Sequence, residues 1–483
     1  MNKPLRRIAI FCGLLMLALL LRDNWLQYAQ ADSLAKDPDN RRVRIERYSI
    51  PRGDIIVDAK AITGSKKTDG EFQYKRTWKN GPMWAPVTGY SSQAFGSNQL
   101  ESLEDGILTG NDDRLFFRNT LDMLTGKEQQ GGNVVTTLNS AVQKAGWEQL
   151  KGKKGAAVAL DPATGKILGL VSAPSYDPGS FAGTSQDDSE AWTSLQKKNN
   201  ENDPMLNRAL RETYPPGSTF KVVTSAAALE EGLVDDVDAS TDSPDPYKLP
   251  DSSTPLTNQH GECKNVSLRE ALRISCNTVF GKLSNEVGNK KMIEYTDRFG
   301  FNAEHFTPVR SAESIFPEDN RPQNAMAGIG QASNRATPLQ MAMVAAAVAN
   351  DGKLMKPYMV DQLRSANLDV VEETEPEELS QAVSPETAQK LQSMMETVVK
   401  TGTGTTAQIP GVTVGGKTGT AEHGENNEKT PYAWFISYAK DSNGKSVAVA
   451  VVVEDGAAAG GEVSGGGLAA PIAKAMMKAA LGK

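Results

Sequence analysis

Hydrophobic and polar positions divide this chain into three stretches. The first is an uninterrupted apolar run from Ile8 to Leu21, preceded by Lys3, Arg6 and Arg7. The second, from about residue 41 to 130, is rich in Gly, Ser, Asn and Asp and holds short strand-like pieces such as "RVRIERYSI" and "GDIIVDA". The third is strongly periodic. In "TTLNSAVQKAGWEQL", Leu138, Ala141, Val142, Ala145 and Leu150 recur at helical spacing, with Thr137 or Asn139 as the cap. "GAAVAL", the turn "DPATGK" and "ILGLVSA" then predict a hairpin. "ATPLQMAMVAAAVANDG" predicts a helix, with Thr337 as N-cap, Pro338 at its first position and Gly352 as its stop. Near the end "AWFISYA" and "SVAVAVVVE" read as strands around "KDSNGK", and "LAAPIAKAMMKAAL" as a closing helix. The hairpin at 156–172 and the strands at 412–453 therefore predict one antiparallel sheet, split in sequence by an all-helical insertion. That is an α+β architecture, and a helix-covered sheet beside a helical subdomain makes a cleft.

Composition changes this picture little. At 483 residues, 39% hydrophobic and 23% charged, the chain is globular and long enough for two or three domains. A net charge of −7 excludes a general nucleic-acid binder. The apolar run is shorter than the ~20 residues of a typical membrane span. A snorkelling Arg22 and interfacial Trp25 and Tyr28 extend it, which favours an uncleaved single-pass anchor. "AQA" at 29–31 keeps a cleaved signal peptide as the alternative. Either way the positive charges stay inside and everything after residue 30 crosses the membrane. Cys12 lies in the apolar segment. Cys263 and Cys276 are spaced to pair in an oxidising compartment, and sequence alone leaves that pairing open.

The chemistry concentrates in three places. Ser-x-x-Lys occurs at Ser33, Ser194, Ser218, Ser437 and Ser442, so the spacing alone carries almost nothing. Only Ser218, in "ETYPPGSTFKVVTSAAALEEG", follows a Pro-Pro-Gly turn and opens an apolar helix. A serine at a helix start is usually a cap, but a cap leaves Lys221 unexplained. A serine nucleophile needs a base, and a desolvated lysine one helical turn away is one. "ISCNTVFG" adds Ser275 and Asn277, a hydroxyl and an amide suited to passing a proton and holding a peptide carbonyl; a helix-cap pair is the plainer alternative. "GVTVGGKTGTAE" adds Lys417, Thr418, Gly419 and Thr420: a cation and hydroxyls for a carboxylate, on a strand whose glycine lets a ligand backbone approach. A second Lys-Thr-Gly-Thr, Lys400 to Thr403, ends the helix-like "AQKLQSMMETVVK", and its glycines read as a cap and loop. His260, His305 and His423 are scattered, no G-x-S-x-G is present, and no H-E-x-x-H or C-x-x-C spacing suggests a metal. His423, five residues after Thr418, is the one histidine placed to rim the cleft.

Three boxes in this order are a serine acyl-transfer signature. Together with "IPRGDIIV", "GAAVALDPATGKILGLVSAPSYDP", "LNRALRETYPPGSTFKV" and "GIGQASNRATPLQMA", the chain resembles the class B penicillin-binding proteins, most closely the PbpA-type transpeptidases of actinobacteria. The resemblance spans nearly the whole chain and implies a penicilloyl-serine transferase fold: an anchor at 1–30, a pedestal module at 31–150 and a transpeptidase domain at 151–483. It implies a peptidoglycan D,D-transpeptidase that needs no cofactor and is acylated by β-lactams. Ser218 would attack the bond between the two D-alanines of a stem peptide, with Lys221 taking its proton and Ser275 relaying a proton to the leaving group. Asn277 would orient the donor, while Lys417, Thr418 and Thr420 would bind its terminal carboxylate. Backbone N–H groups of Ser218 and Thr420 would form the oxyanion hole. Cell-wall synthesis or division proteins are the implied partners. A D,D-carboxypeptidase differs only in the acyl acceptor and is the nearest rival. A β-lactamase is usually a compact, secreted single domain without such a module, and an idle scaffold or β-lactam sensor would be expected to lose a box or to carry a signalling part. The segment before residue 150 is too short for a glycosyltransferase domain.

Overall fold

The computed structural model describes residues 3–35, 40–115, 130–197, 200–259, 261–424, 428–454 and 464–483. Its first element is a helix, Lys3–Ala29, none of whose side chains is buried, with a mean hydropathy of 2.0 over its best window. At 1.5 Å per residue such a helix is about 40 Å long, enough to cross a bilayer core of about 30 Å.

The stretch "RVRIERYSI" is a correction. Residues Arg41–Arg47 form a helix rather than a strand. Arginine and glutamate are good helix formers, and Ile45 and Tyr48, three apart, share the inward side. The Tyr48 hydroxyl anchors this turn by donating to Ser92 O at 2.8 Å. The strand Ile55–Val57 forms within the predicted "GDIIVDA". Beneath it, Arg52 and Arg76 both clasp Glu101, at 2.7 Å each, with all three side chains almost wholly buried.

The main sheet has five antiparallel strands, in the order Thr413–Ala421, Tyr432–Lys440, Ser446–Val453, Gly155–Leu160 and Ile167–Ala173. Alternation along the central strand explains its two covers. Val447, Val449 and Val451 join the core shared with helices Ser140–Leu150 and Ala470–Ala480. Ala448, Ala450 and Val452 join the opposite core with helix Pro338–Ala349. Asn139 caps Ser140–Leu150, accepting from Ala141 N and Val142 N. Thr337 caps Pro338–Ala349 as predicted, accepting from Gln340 N.

The insertion between the two parts of the sheet is not all-helical. Helices Lys221–Glu230, Leu268–Ile274, Asn277–Val287 and Pro385–Thr401 build the wall of the cleft. Residues 353–381 instead form four strands, and two of them leave the catalytic part altogether. Val360–Arg364 pairs with Asn133–Thr136, which lies parallel to Ile55–Val57, and Val370–Glu373 extends the same sheet. The module before residue 150 and the catalytic part thus share one hydrogen-bonded sheet, which fixes the cleft relative to the module.

Candidate active site

Ser218 sits in a 3-10 turn, Gly217–Phe220, that feeds directly into helix Lys221–Glu230. The turn is held from three sides. Thr219 Oγ1 donates to Pro216 O at 2.6 Å, Trp434 Nε1 donates to Pro215 O at 3.0 Å, and Gly217 N donates to Gly330 O at 2.9 Å. Gly217 has φ +54, and a Cβ there would lie 2.9 Å from Thr420 O, so only glycine lets the nucleophile turn lie against the Lys417 strand. Gly419 serves the same approach from the other side: a Cβ there would meet Thr219 Cγ2 at 3.0 Å.

Lys221 is completely buried and its Nζ contacts three oxygens: Ser275 O at 2.7 Å, Asn277 Oδ1 at 2.7 Å and Ser275 Oγ at 3.2 Å. The two short contacts go to oxygens that only accept, and the longest goes to a hydroxyl that can also donate. A neutral amine, with two N–H groups and one lone pair, fits that set. Burial, and secondly the positive charge of Lys417, hold its pKa well below the usual lysine value.

Only half of the cap pair considered for Ser275 and Asn277 exists: Ser275 is a C-cap, whereas the N-cap of the next helix is Cys276 and the Asn277 side-chain amide bonds elsewhere, to Lys221 Nζ and Thr257 O. Ser275 closes helix Leu268–Ile274 in the left-handed conformation, φ +67, and Asn277 begins the next helix, its N–H donating to Asn258 Oδ1 at 2.7 Å. The abrupt turn between them throws both side chains toward Lys221. Between the two, Cys276 is joined by a disulfide to Cys263, with the Cα atoms 5.9 Å apart.

Lys417, on the edge strand Thr413–Ala421, is also fully buried. Its Nζ donates to Thr418 O at 2.9 Å and lies 3.0 Å from Ser275 Oγ. One hydroxyl oxygen therefore bridges two lysine amines. Burial alone lowers the pKa of Lys417 to about 7. Thr418 and Thr420 share one face of the strand by the two-residue period. Thr418 is mostly buried, and its Oγ1 lies 2.5 Å from Thr403 Oγ1.

The eight residues singled out from sequence come together: Lys221, Ser275, Asn277, Lys417 and Thr418 through direct contacts, and Gly419 and Thr420 against the turn that carries Ser218. Two contributors were not anticipated. Gly330 supports the nucleophile turn, and Thr403 comes from the second Lys-Thr-Gly-Thr, read as a cap and loop. Gly402 does cap that helix, as the spacing implied. The repeated tetrapeptide was the available signal for Thr403; for Gly330 the sequence offered only a glycine in "GIGQASNRA". His423 Nε2 pairs with Thr430 O at 2.7 Å and its ring stacks on Tyr432, while His305 Nε2 pairs with Gly300 O at 2.7 Å. His260 lies outside the described residues. Among the described residues no group of three or more His, Cys, Asp or Glu is arranged to hold a metal ion.

Comparison with known proteins gives this cleft its context. The sequence matches the penicillin binding protein transpeptidase domain over residues 155–478 and the penicillin binding protein A dimerisation domain over residues 52–134. It is 42% identical over 498 residues to the peptidoglycan D,D-transpeptidase PbpA of Mycolicibacterium smegmatis, covering 100% of this chain and 99% of that protein. The PbpA of Mycobacterium tuberculosis is likewise 42% identical over 494 residues, with the same coverage. The ceftriaxone acyl-enzyme complex of penicillin-binding protein A from M. tuberculosis superposes with a TM-score of 0.84 at 41% identity, over 90% of this chain and 100% of that one. The D,D-transpeptidase domain of a peptidoglycan glycosyltransferase from Eggerthella lenta gives 0.76 at 33% identity, over 90% and 98%. With one serine, two buried lysines and the edge strand of Lys417 brought together, a fold matched over 90% of the chain and a sequence matched over all of it, the chain belongs to the penicillin-binding protein transpeptidase family.

Proposed function

We propose that this protein is a peptidoglycan D,D-transpeptidase, acylated on Ser218 both by stem peptides and by β-lactams. The observation that carries the reading is the hydroxyl of Ser275, within 3.2 Å of both Lys221 Nζ and Lys417 Nζ. A single oxygen placed between a base with a depressed pKa and a second amine is a proton relay, not a packing device.

Each step follows from the residues. A donor peptide adds along the edge strand 413–421, its terminal carboxylate on Thr418 and Thr420 in the positive potential of Lys417, with Asn277 holding the donor's peptide carbonyl. Ser218 Oγ attacks the carbonyl carbon of the penultimate D-alanine while its proton passes to the neutral amine of Lys221. The oxyanion lies against the backbone N–H groups of Ser218 and Thr420, each such donor contributing about 3 kcal/mol to the barrier reduction. The C–N bond then breaks, and the proton on Lys221 travels through Ser275 Oγ to the departing D-alanine amine. The amine of a second stem peptide attacks the acyl-enzyme and gives a proton to Lys221, which passes it to Ser218 Oγ as the ester C–O bond breaks and the cross-link forms.

In this reading helix Lys3–Ala29 is a single-pass anchor with a cytoplasmic N-terminus, following the positive charges at Lys3, Arg6 and Arg7. Residues 31–150 act as a pedestal that presents the catalytic part, 151–483, to the wall and to cell-wall synthesis or division proteins. The sheet shared by the two parts supports that role.

The test is intact-mass analysis of the ectodomain after incubation with a penicillin, beside Ser218→Ala. A single stable adduct, absent from the variant, is expected; none on the folded protein would overturn the reading. A donor stem peptide supplied with an acceptor amine should then give the cross-linked product. Release of D-alanine with hydrolysis alone would make the enzyme a D,D-carboxypeptidase, and rapid turnover of the penicillin a β-lactamase.

A further inference from the structure

The turn after helix Pro385–Thr401 belongs to neither the nucleophile element nor the Lys417 strand, yet it touches the second and is tied to the helix before Ser275. Thr403 Oγ1 lies 2.5 Å from Thr418 Oγ1. Thr403 N donates to Arg273 O at 3.4 Å, and Arg273 Nη1 returns a bond to Thr401 O at 2.8 Å. Arg273 lies in the last turn of the helix that Ser275 closes. The turn therefore links the wall carrying Ser275 to the strand carrying Thr418. It is also crowded from behind: a Cβ on Gly466 would stand 2.5 Å from Thr403 O, and Thr406 Oγ1 donates to Gly466 O at 2.6 Å.

The hydroxyl pair poses a question of polarity. Each threonine has one O–H proton, and a carboxylate only accepts. If Thr418 gives its proton to Thr403, it turns lone pairs toward an incoming carboxylate. If Thr403 gives its proton to Thr418, the Thr418 proton is released toward the cleft. Among the described residues Thr403 Oγ1 has no hydrogen-bond partner except Thr418, so nothing competes for its proton. Lys417 Nζ, donating to Thr418 O, sits beside the same residue and favours the arrangement that receives an anion.

We propose that Thr403 is a positioning residue: it donates to Thr418 and so fixes the Thr418 hydroxyl as a donor to the terminal carboxylate of the substrate. This rests on reading Thr418 as a carboxylate partner, as above. The effect belongs to substrates with that carboxylate and not to the acyl transfer itself.

The experiment compares two acylating agents on the ectodomain: a penicillin, which carries the carboxylate, and an activated ester of N-acyl-D-alanine, which lacks it. Thr403→Val keeps the shape and removes the proton. It should slow acylation by the penicillin about tenfold, the worth of one charge-assisted hydrogen bond, and leave the neutral ester unchanged. Thr403→Ser should restore the penicillin rate to within about twofold. Thr418→Val should discriminate between the two agents in the same way, and adding Thr403→Val to it should cost nothing more. If Thr418→Val discriminates and Thr403→Val does not, the proposal is wrong while the carboxylate reading stands. If Thr418→Val slows both agents equally, the carboxylate reading fails and takes the proposal with it. Equal slowing of both agents by Thr403→Val, with a fall in melting temperature, would make the residue merely structural and overturn the proposal.

Discussion

Cutting the Cys263–Cys276 bridge separates two contributions to the cleft. The bond spans 13 residues, and a closed loop of that size restricts the unfolded chain by about 3 kcal/mol. Unfolding entropy for a domain matching residues 155–478 is roughly 0.7 kcal/mol per kelvin, so the loss corresponds to a fall in Tm of about 4 °C. The local effect is distinct. Cys276 stands between Ser275 and Asn277, the two residues that receive the short contacts of Lys221. Freed from the bridge, the left-handed turn at Ser275 should sample other conformations, and weakening one of those hydrogen bonds, worth about 1 kcal/mol, slows acylation by about fivefold. The assay is the second-order acylation constant with a chromogenic cephalosporin, measured beside thermal unfolding. Wild-type ectodomain with and without reductant is compared with Cys263→Ala/Cys276→Ala, on which reductant should do nothing. An unchanged Tm after reduction would refute the loop-closure estimate. A lowered Tm with an unaltered acylation constant would refute the claim that the bridge holds the site, leaving it a staple only.

Two further outcomes follow from the same geometry. Lys417 titrates at about 7 when folded and at about 10.4 unfolded, so between those values the folded state holds fewer protons and stability rises with pH. A bound carboxylate favours its charged form, so affinity for carboxylate-bearing substrates should fall as pH rises through about 7, while a neutral ester shows no such fall. Superimposable pH profiles for the two would count against Lys417 as the source of positive potential. Gly330→Ala places a Cβ 2.0 Å from Gly217 O at φ +80, so the loop must move off the nucleophile turn. A loss of stability above about 2 kcal/mol and near-complete loss of penicillin labelling are expected, by chemical denaturation and gel fluorography; labelling at the wild-type rate would show the turn to be held by other means.

What the sequence disclosed, and what it withheld, follows the range of each interaction. Ser218 with Lys221, and Ser275 with Asn277, are local pairs whose chemistry demands particular residue types a few positions apart, so they stand out once their helices are read from periodicity. The strands around Val449 were legible because period-two alternation survives in a strand buried on both faces between two different helical covers. The helix Arg41–Arg47 was misread because Arg-Val-Arg-Ile alternation satisfies a strand pattern as well as a helix of good formers; only the burial of Tyr48 decides between them. The departure of Val360–Arg364 to the module's sheet was invisible for another reason. Its partner, Asn133–Thr136, lies more than 220 residues away in sequence, and nothing in either segment's own pattern names the other. Thr403 fails in the same way at shorter range. Its glycine neighbours do cap a helix, so the local reading was right and still incomplete, because the hydroxyl acts on a strand 15 residues further on. A motif that satisfies a local structural rule is therefore not exhausted by it. Here the helix cap is the device that delivers Thr403 to the strand of Thr418, just as the left-handed cap at Ser275 delivers a hydroxyl between two lysines.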